Sequence, residues 1–363
     1  MSDSPLVTIG MPLYNGARYL RAAISSVLND SYSNWELVLL DDSSTDDSIQ
    51  IASSFLDRRI RILRNEVNQG LVAARNRILD EARGSFIAWL DQDDLSYPNR
   101  LGSQIDYLQS HPHVGICGSW SDLINHRADG SSRKLREKLP VSHTDIRAQM
   151  LFSNPMKCNT VMMRCSSLTE NQLRFRPEFG NALDYDLWAR ASEVVGIQNL
   201  PVVLGGYRIH PDQTSRGHEG DKINQSALEV QRQLMERALG LEMSPDQLAI
   251  QTRLTLAPES ISTESALHET ADWLHTIRTA NSTRRAFEAV ALDRALARQW
   301  ITAVVGAARA GMSRPALMSI GRKGAHQVGL PRAAVGQAIA IGIARSAERR
   351  FRSRPRPMVK YQS

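Results

Sequence analysis

Cysteine is scarce in this chain of 363 residues, which has only Cys117, Cys158 and Cys165 and no CxxC pair. An odd, sparse count excludes a disulfide framework and suits a reducing compartment. No histidines stand at zinc-site spacing either. Long apolar runs are also missing, since no stretch approaches the roughly 20 residues that a membrane-spanning helix requires. The opening MSDSPLVTIG has no basic region followed by an apolar core, so a secretory signal is not expected and the chain is predicted to begin and stay in the cytoplasm. Acidic charge is nearly absent from the C-terminal end. Residues 301–363 hold twelve Lys and Arg against one acid, Glu348, a net +11. The whole chain carries +6, which leaves −5 for everything before residue 301. A polybasic end suits an anionic membrane surface or nucleic acid, the second disfavoured by the tail's lack of interleaved aromatics, and the body shows no such electropositive footprint.

What remains is ordinary globular composition, 42% hydrophobic and 23% charged, in a chain long enough for one α/β domain and a smaller second unit. The first half alternates short apolar runs with amphipathic stretches. Strands are predicted at Leu6–Met11, Glu36–Leu40, Ile60–Leu63, Phe86–Leu90 and Val114–Trp120. Helices are predicted at Ala17–Leu28, about Asp46–Phe55, Gly70–Ala82 and Pro98–Gln109, with Ser44 or Thr45 capping the second and Pro98 in the first turn of the fourth. This alternation implies a mainly parallel sheet covered on both faces, with ligands at the carboxyl ends of its strands. Helical patterns dominate from about residue 217, where Ser244-Pro245-Asp246 reads as a helix start and Trp273, Leu274 and Ile277 share one face. The expected organisation is a catalytic domain over 1–220, a helical region over 221–345, and a basic, disordered tail over 346–363.

Two acidic clusters fall at the predicted strand ends. Asp91-Gln92-Asp93-Asp94 crowds carboxylates whose mutual repulsion a divalent cation would relieve. The same residues could simply cap a helix, and a DxD triplet alone does not decide between the two. Asp41-Asp42 ends a neighbouring strand and could accept hydrogen bonds from a nucleobase or a ribose, or serve as a cap itself. Two such ends facing one crevice favour a ligand site.

The segment PLVTIGMPLYNGARYLRAAISSVLNDSYSNWELVLLDDSSTD (Pro5–Asp46) resembles the opening of the family 2 glycosyltransferases of bacterial surface-polysaccharide synthesis, which have the GT-A fold. The resemblance continues through Asn68–Leu71, Ala74-Arg75-Asn76, LDQDDLSYPNRL (Leu90–Leu101), NPMKCNTVMMR (Asn154–Arg164), DYDLWAR (Asp184–Arg190) and YRIHPDQTS (Tyr207–Ser215). It implies that Pro12, Tyr14 and Asn15 form the loop over the nucleoside and that Asp42 contacts the base. It places Asp91 by the ribose or the metal and Asp93 on a Mn2+ or Mg2+ ion that bridges the diphosphate; His210 could complete that site, as a His does in some relatives, or could equally be a structural residue of its Pro-flanked loop. Arg75 lies in the stretch lining the donor pocket, and could equally be a solvated helix charge. Asp184 matches the general base; the rival is Asp186, two residues on. Where the family commonly has Glu before that Asp, this chain has Leu183, a change that bears on acceptor binding.

The implied reaction is inverting transfer of a sugar from a nucleotide-diphosphate donor to a hydroxyl acceptor, either a sugar or a lipid-linked intermediate. Two other readings compete. A Mg-dependent phosphotransferase would place an acid at the end of the first strand, where this chain has Met11-Pro12-Leu13. A non-catalytic nucleotide-sugar binder would lack the base. Ala333–Ala344 followed by Arg345, Arg349, Arg350 and Arg352 could lie in a membrane interface, which would put the protein on the inner face of the cytoplasmic membrane, or could be a packed helix with a solvated tail.

Overall fold

The structure is a computed structural model that describes residues 4–126, 132–211, 213 and 218–327, with the backbone alone at 126, 181, 218–223, 314 and 322. The segment 333–344 and the basic tail therefore lie outside the described residues. In chain order the first elements are β1 (Val7–Leu13), α1 (Ala17–Leu28), β2 (Trp35–Asp41), α2 (Ser48–Ser53), β3 (Ile60–Arg64), α3 (Leu71–Glu81), β4 (Phe86–Trp89), β5 (Leu95–Ser96) and α4 (Arg100–Ser110). They are followed by β6 (Val114–His126), β7 (Ser132–Glu137), α5 (His143–Gln149), β8 (Met162–Arg164), α6 (Cys165–Glu170), α7 (Leu183–Ala191) and β9 (Gly196–Ile209). Five helices close the order: α8 (His218–Leu239), α9 (Pro245–Leu256), α10 (Glu264–Arg284), α11 (Ala289–Arg309) and α12 (Arg314–Gln327).

All seven positions of β1 and of β2 are buried, as expected of central parallel strands covered on both faces. Helix α1 turns Leu20, Ala23, Ile24 and Val27 inward, a spacing that builds one apolar stripe. Burying Leu20 and Ile24 fully stabilises the domain by about 1.5–3 kcal/mol each. At Gly10 an added Cβ would stand 2.7 Å from the Trp89 ring and 2.8 Å from Ile78, so only glycine lets α3 and β4 close on β1 at this point. The carboxyl ends of three strands converge. Leu13 pairs with Asp41 in the β1–β2 register, Asp42 N donates to Leu13 O at 2.8 Å, and Leu90 N donates to Gly10 O at 3.1 Å.

Strands β3, β2, β1 and β4 are parallel, as the alternation predicts. The other half of the sheet is mixed: β8 runs antiparallel to β4 and β6, β6 parallel to β9, and β5 antiparallel to β9, in the order β3-β2-β1-β4-β8-β6-β9-β5, with β7 on β6. Strand β6 also extends to His126, beyond the expected end at Trp120. Its second half, SDLINH, carries no apolar run, and over 121–125 only Ser121 and Ile124 are buried. The helix starts differ as well. Ser44 and Thr45 do not cap α2, because Ser44 Oγ accepts from Asn15 N at 3.0 Å and Thr45 N donates to Asn15 Oδ1 at 2.9 Å. The residue at the cap is Asp47, whose side chain makes no capping bond, and Asp46 before it accepts from Ser48 N and Ala17 N at 3.0 Å each. Pro98 precedes α4 rather than entering it, since Asn99 takes a left-handed φ of 66° before the helix begins at Arg100.

The chain forms two compact units. The first takes the residues up to Met150 and Asn154–Val230, and the second takes Leu151–Ser153 and the residues from Gln231 onward, so the division falls inside α8. In the second unit α9 starts where Ser244-Pro245-Asp246 is expected to open a helix, and it does so with a capping box: Ser244 Oγ accepts from Gln247 N at 3.2 Å and Ser244 N donates to Gln247 Oε1 at 2.9 Å. Trp273, Leu274 and Ile277 of α10 are buried together. Among the described residues no helix is long and apolar enough to cross a membrane.

Candidate active site

Beyond β4 the chain turns at once, with Asp94 N donating to Asp91 O at 3.1 Å. The turn is fastened by the end of β9. Arg208 N donates to Asp94 Oδ1 at 2.8 Å and Arg208 Nη1 to Asp93 O at 2.6 Å. Two residues later His210 Nε2 lies 2.9 Å from Asp93 Oδ2, although 117 positions separate them in sequence. The imidazole packs on the Tyr19 ring with centroids 4.6 Å apart, and Gln213 ties this corner by accepting from His210 N and donating to Arg208 O. His210 Nδ1 and Asp94 Oδ2 are buried without a hydrogen-bond partner. Burial, reinforced by repulsion from Asp93 and Asp91, pushes the Asp94 carboxyl well above its ordinary range.

Arg75 of α3 is the second centre. It is 4% exposed, so the alternative of a solvated helix charge is overturned, because α3 turns this face inward beneath Trp89 and Phe175. Its Nη2 donates to Asp91 Oδ1 at 2.8 Å and its Nη1 to Cys158 Sγ. Burial opposes its charge, but the Cys158 sulfur and the Asp91 carboxylate outweigh that and hold it protonated. Asp184 also interacts electrostatically with this guanidinium. Asp91, Arg75 and Asp184 thus form one charge cluster drawn from the exit of β4, from α3 and from α7.

Asp184 and Asp186 both stand in the first turn of α7, about 200° apart around a helix. Asp184 Oδ2 accepts from Asn154 Nδ2 at 3.0 Å and Oδ1 from Tyr185 N at 2.7 Å. Burial raises its carboxyl above the usual value against the pull of Arg75, of these two donors and of Lys157. Asp186 is 2% exposed, with Oδ1 accepting from Arg176 Nη2 and Oδ2 accepting from Arg176 Nε at 3.0 Å and from Arg190 Nη2 at 2.8 Å. It is committed to an ion triad, whereas the hydrogen bonds to Asp184 come from neutral donors, the Asn154 amide and the Tyr185 backbone N–H.

The loop after β1 is held from two sides. Gln92, the middle residue of the acidic triplet, accepts from Tyr14 N at 2.8 Å and donates to Tyr14 O at 3.0 Å, as a strand neighbour would. Asn15 adopts a left-handed φ of 48° and holds Thr45 with its side-chain oxygen. The Tyr14 side chain remains 48% exposed, and Pro12 is fixed inside β1 opposite Leu40. Asp42 is buried and organises the neighbouring loop: Oδ1 accepts from Asn65 Nδ2 and Gln69 N, and Oδ2 from Gly70 N at 2.7 Å. Gly70 makes this possible with a φ of 85°.

The profile of Glycosyl transferase family 2 matches residues 8–171. An uncharacterized glycosyltransferase of Haemophilus influenzae is 32% identical over 240 residues, which cover 64% of this chain and 74% of that protein. The chain belongs to glycosyltransferase family 2. Within the family it is also 34% identical, over 51% of this chain and 69% of the other, to the Escherichia coli UDP-Glc:alpha-D-GlcNAc-diphosphoundecaprenol beta-1,3-glucosyltransferase WfgD. Its fold is GT-A. It superposes on residues 1–349 of TarS from S. aureus, solved with UDP-GlcNAc, with a TM-score of 0.55 and 16% identity over 84% of this chain and 90% of that one. It superposes likewise on the Pyrobaculum calidifontis mannosyltransferase PcManGT, solved with GDP-Man and Mn2+, with a TM-score of 0.50 and 17% identity over 97% and 89%.

For this family 2 chain the structure brings Asp91, Arg75 and Asp184 together, sets Asp93 against His210, and gathers Pro12, Tyr14, Asn15 and Asp42 at the ends of β1 and β2. Among the described residues no group of three or more His, Cys, Asp or Glu is arranged as a metal site. Asp93 and His210 form a pair, and His210 keeps a buried Nδ1 without a partner. One carboxylate and one imidazole fit an ion that takes its other ligands from water and a substrate diphosphate. Sequence reasoning missed Gln92, Asn154, Tyr19, Arg208 and Gln213, whose roles are hydrogen bonds or ring contacts across the fold. The spacing of Arg208 and Gln213 around His210 was the available signal for the last two.

Proposed function

We propose that this chain is a metal-dependent, inverting glycosyltransferase that moves a sugar from a nucleoside-diphosphate donor to the hydroxyl of a lipid-linked acceptor in surface-polysaccharide synthesis. The observation that carries this reading is the buried Arg75, which joins Asp91 at the acidic strand end to Asp184 on α7. Pro12, Tyr14, Asn15 and Asp42 bound the nucleoside side, and Asp91 faces the ribose. Asp184 removes the proton from the acceptor hydroxyl. The oxygen attacks the anomeric carbon, the bond from that carbon to the diphosphate oxygen breaks on the opposite face, and the nucleoside diphosphate departs with the electron pair. A divalent cation, Mn2+ or Mg2+, held by Asp93 and His210 would supply neutralising charge for the departing diphosphate. The similarity to WfgD, whose acceptor is a diphosphoundecaprenol-linked sugar, supports the lipid-linked acceptor.

Radiolabelled UDP-Glc, UDP-GlcNAc and GDP-Man, each offered with Mn2+ with and without a diphosphoundecaprenol-linked sugar, test the reading. The expected result is acceptor-dependent label transfer with one donor, lost on chelation by EDTA and restored by Mn2+. Recovery of the label as sugar 1-phosphate would instead show chemistry at phosphorus, and retention of intact donor would show a binding protein. Full transfer in EDTA would remove the metal from the reading.

The acceptor's lipid places the reaction at a membrane surface, and the excess of basic residues in 345–363 supports peripheral attachment on the cytoplasmic side. Deleting residues 345–363 is expected to release the protein from vesicles of phosphatidylcholine and phosphatidylglycerol in a sedimentation assay. Unchanged sedimentation would contradict that attachment.

A further inference from the structure

The second unit includes three residues far from its other segments in sequence, Leu151–Ser153, although Met150 and Asn154 on either side belong to the first. A buried polar chain holds them. Trp273 Nε1 donates to Gln251 Oε1 at 2.9 Å, and Gln251 Nε2 donates at 2.8 Å both to Leu151 O and to Gln231 Oε1. Gln231 Nε2 in turn donates to Phe152 O at 3.1 Å. Gln251 is 0% exposed, Gln231 1% and Trp273 2%. An indole only donates, so Gln251 must present its oxygen to Trp273 and its NH2 group to Leu151 and Gln231. That leaves the network one arrangement.

The ends of the same segment are tied to α7. Tyr185 Oη donates to Met150 O, and Asn154 Nδ2 donates to Asp184 Oδ2. Asn154 has little freedom of its own, because Pro155 restricts its backbone and its Oδ1 accepts from Met156 N at 3.1 Å. The carbonyls gripped by Gln251 and Gln231 therefore lie three and two residues before the amide that orients Asp184.

We infer that the C-terminal helical unit positions the catalytic base: Gln251, with Gln231 and Trp273, fixes Leu151–Ser153 and through the chain fixes Asn154 against Asp184. These three are positioning residues, and the inference rests on Asp184 being the base. The groups that face Asp184 are Arg75 of α3, Asp91 after β4, Lys157 and Cys158 ahead of β8, and Asn154. Of these, Asn154 depends directly on the gripped segment.

The test compares Gln251→Leu, Trp273→Phe and a control, Leu274→Ala, which empties part of the same helical core without touching the network. Turnover is read as hydrolysis of UDP-Glc and UDP-GlcNAc with Mn2+. Gln251→Leu is expected to lower kcat by on the order of tenfold or more, to leave KM for the donor within about twofold, and to move the acid limb of the kcat profile to higher pH as Asp184 loses the Asn154 hydrogen bond. Trp273→Phe should move both in the same direction by less. Equal kcat loss in Leu274→Ala at matched melting temperature, or an unmoved acid limb in Gln251→Leu, would overturn the inference. Hydrogen exchange at the Met156 amide reads the coupling without turnover: faster exchange in Gln251→Leu than in Leu274→Ala is expected, and equal exchange overturns it. A wild-type chain that turns over none of the donors would count against the proposed reaction, while the exchange result would still decide the coupling.

Discussion

Asp184→Asn is expected to slow sugar transfer at least about a hundredfold, the usual contribution of a positioned base, while leaving donor affinity within about twofold. An asparagine keeps the shape of the side chain and one acceptor oxygen, which can still take Tyr185 N, while its NH2 group replaces the oxygen that accepted from Asn154, so the loss is chiefly one of proton acceptance. Asp186→Asn should give the reverse result. It leaves Arg176 and Arg190 without a carboxylate and lowers stability by about 1–3 kcal/mol, discounted because both arginines are partly exposed, with kcat retained. Steady-state kinetics with isothermal titration of donor, beside thermal melts, separate the two. The pH profile follows from the same environment. Burial raises the Asp184 carboxyl above its ordinary 3.8, and the base must be ionised to act. Activity should therefore be present above that raised value and fall as pH drops through it, placing the acid limb higher than for an exposed aspartate. Undiminished transfer by Asp184→Asn would remove the base from the account.

Arg75→Met is expected to cause the largest combined loss. It removes the one guanidinium shared by Asp91, Cys158 and Asp184, leaving buried carboxylates without a counter-charge. Breaking such a pair costs about 3–5 kcal/mol, and the lower end applies because the Asp91 side chain keeps 30% exposure. Donor affinity should fall because Asp91 loses its orientation. The acid limb should move up, since the guanidinium is the strongest influence lowering the Asp184 pKa. Arg75→Lys should recover little, because an ammonium cannot fork to two partners as Arg75 does with Asp91 and Cys158. Thermal melts, donor titration and the kcat profile check the three effects. A variant with wild-type stability and an unmoved acid limb would contradict the role given to Arg75.

The parallel half of the fold was legible in the sequence because its strands are apolar runs and its helices are striped. Helix α1 falls at Ala17–Leu28, as the spacing predicts. The mixed half was not, because β8 is three residues long and the second half of β6 is polar. Among site residues, Asp93 and His210 were legible as chemistry but not as neighbours: only the antiparallel pairing of β5 with β9 at Leu95–Gly206 carries residue 210 back to residue 93. Arg75 shows the limit from the other side. A helix arginine reads as a solvated charge until the topology places Trp89, Asp91 and Cys158 around it. The Gln251 network was invisible, since nothing in QTR or NPM relates residue 251 to residue 154.

The most direct measurement is a crystal structure of the wild-type chain with Mn2+ and a non-hydrolysable analogue of whichever of UDP-Glc, UDP-GlcNAc or GDP-Man supports transfer. Metal density is expected on Asp93, His210 and the diphosphate, with the Asp184 carboxylate on the face of the anomeric carbon opposite the leaving oxygen and Arg75 still joined to Asp91. A donor bound with Asp184 on the diphosphate side, or a metal held without Asp93, would contradict that arrangement.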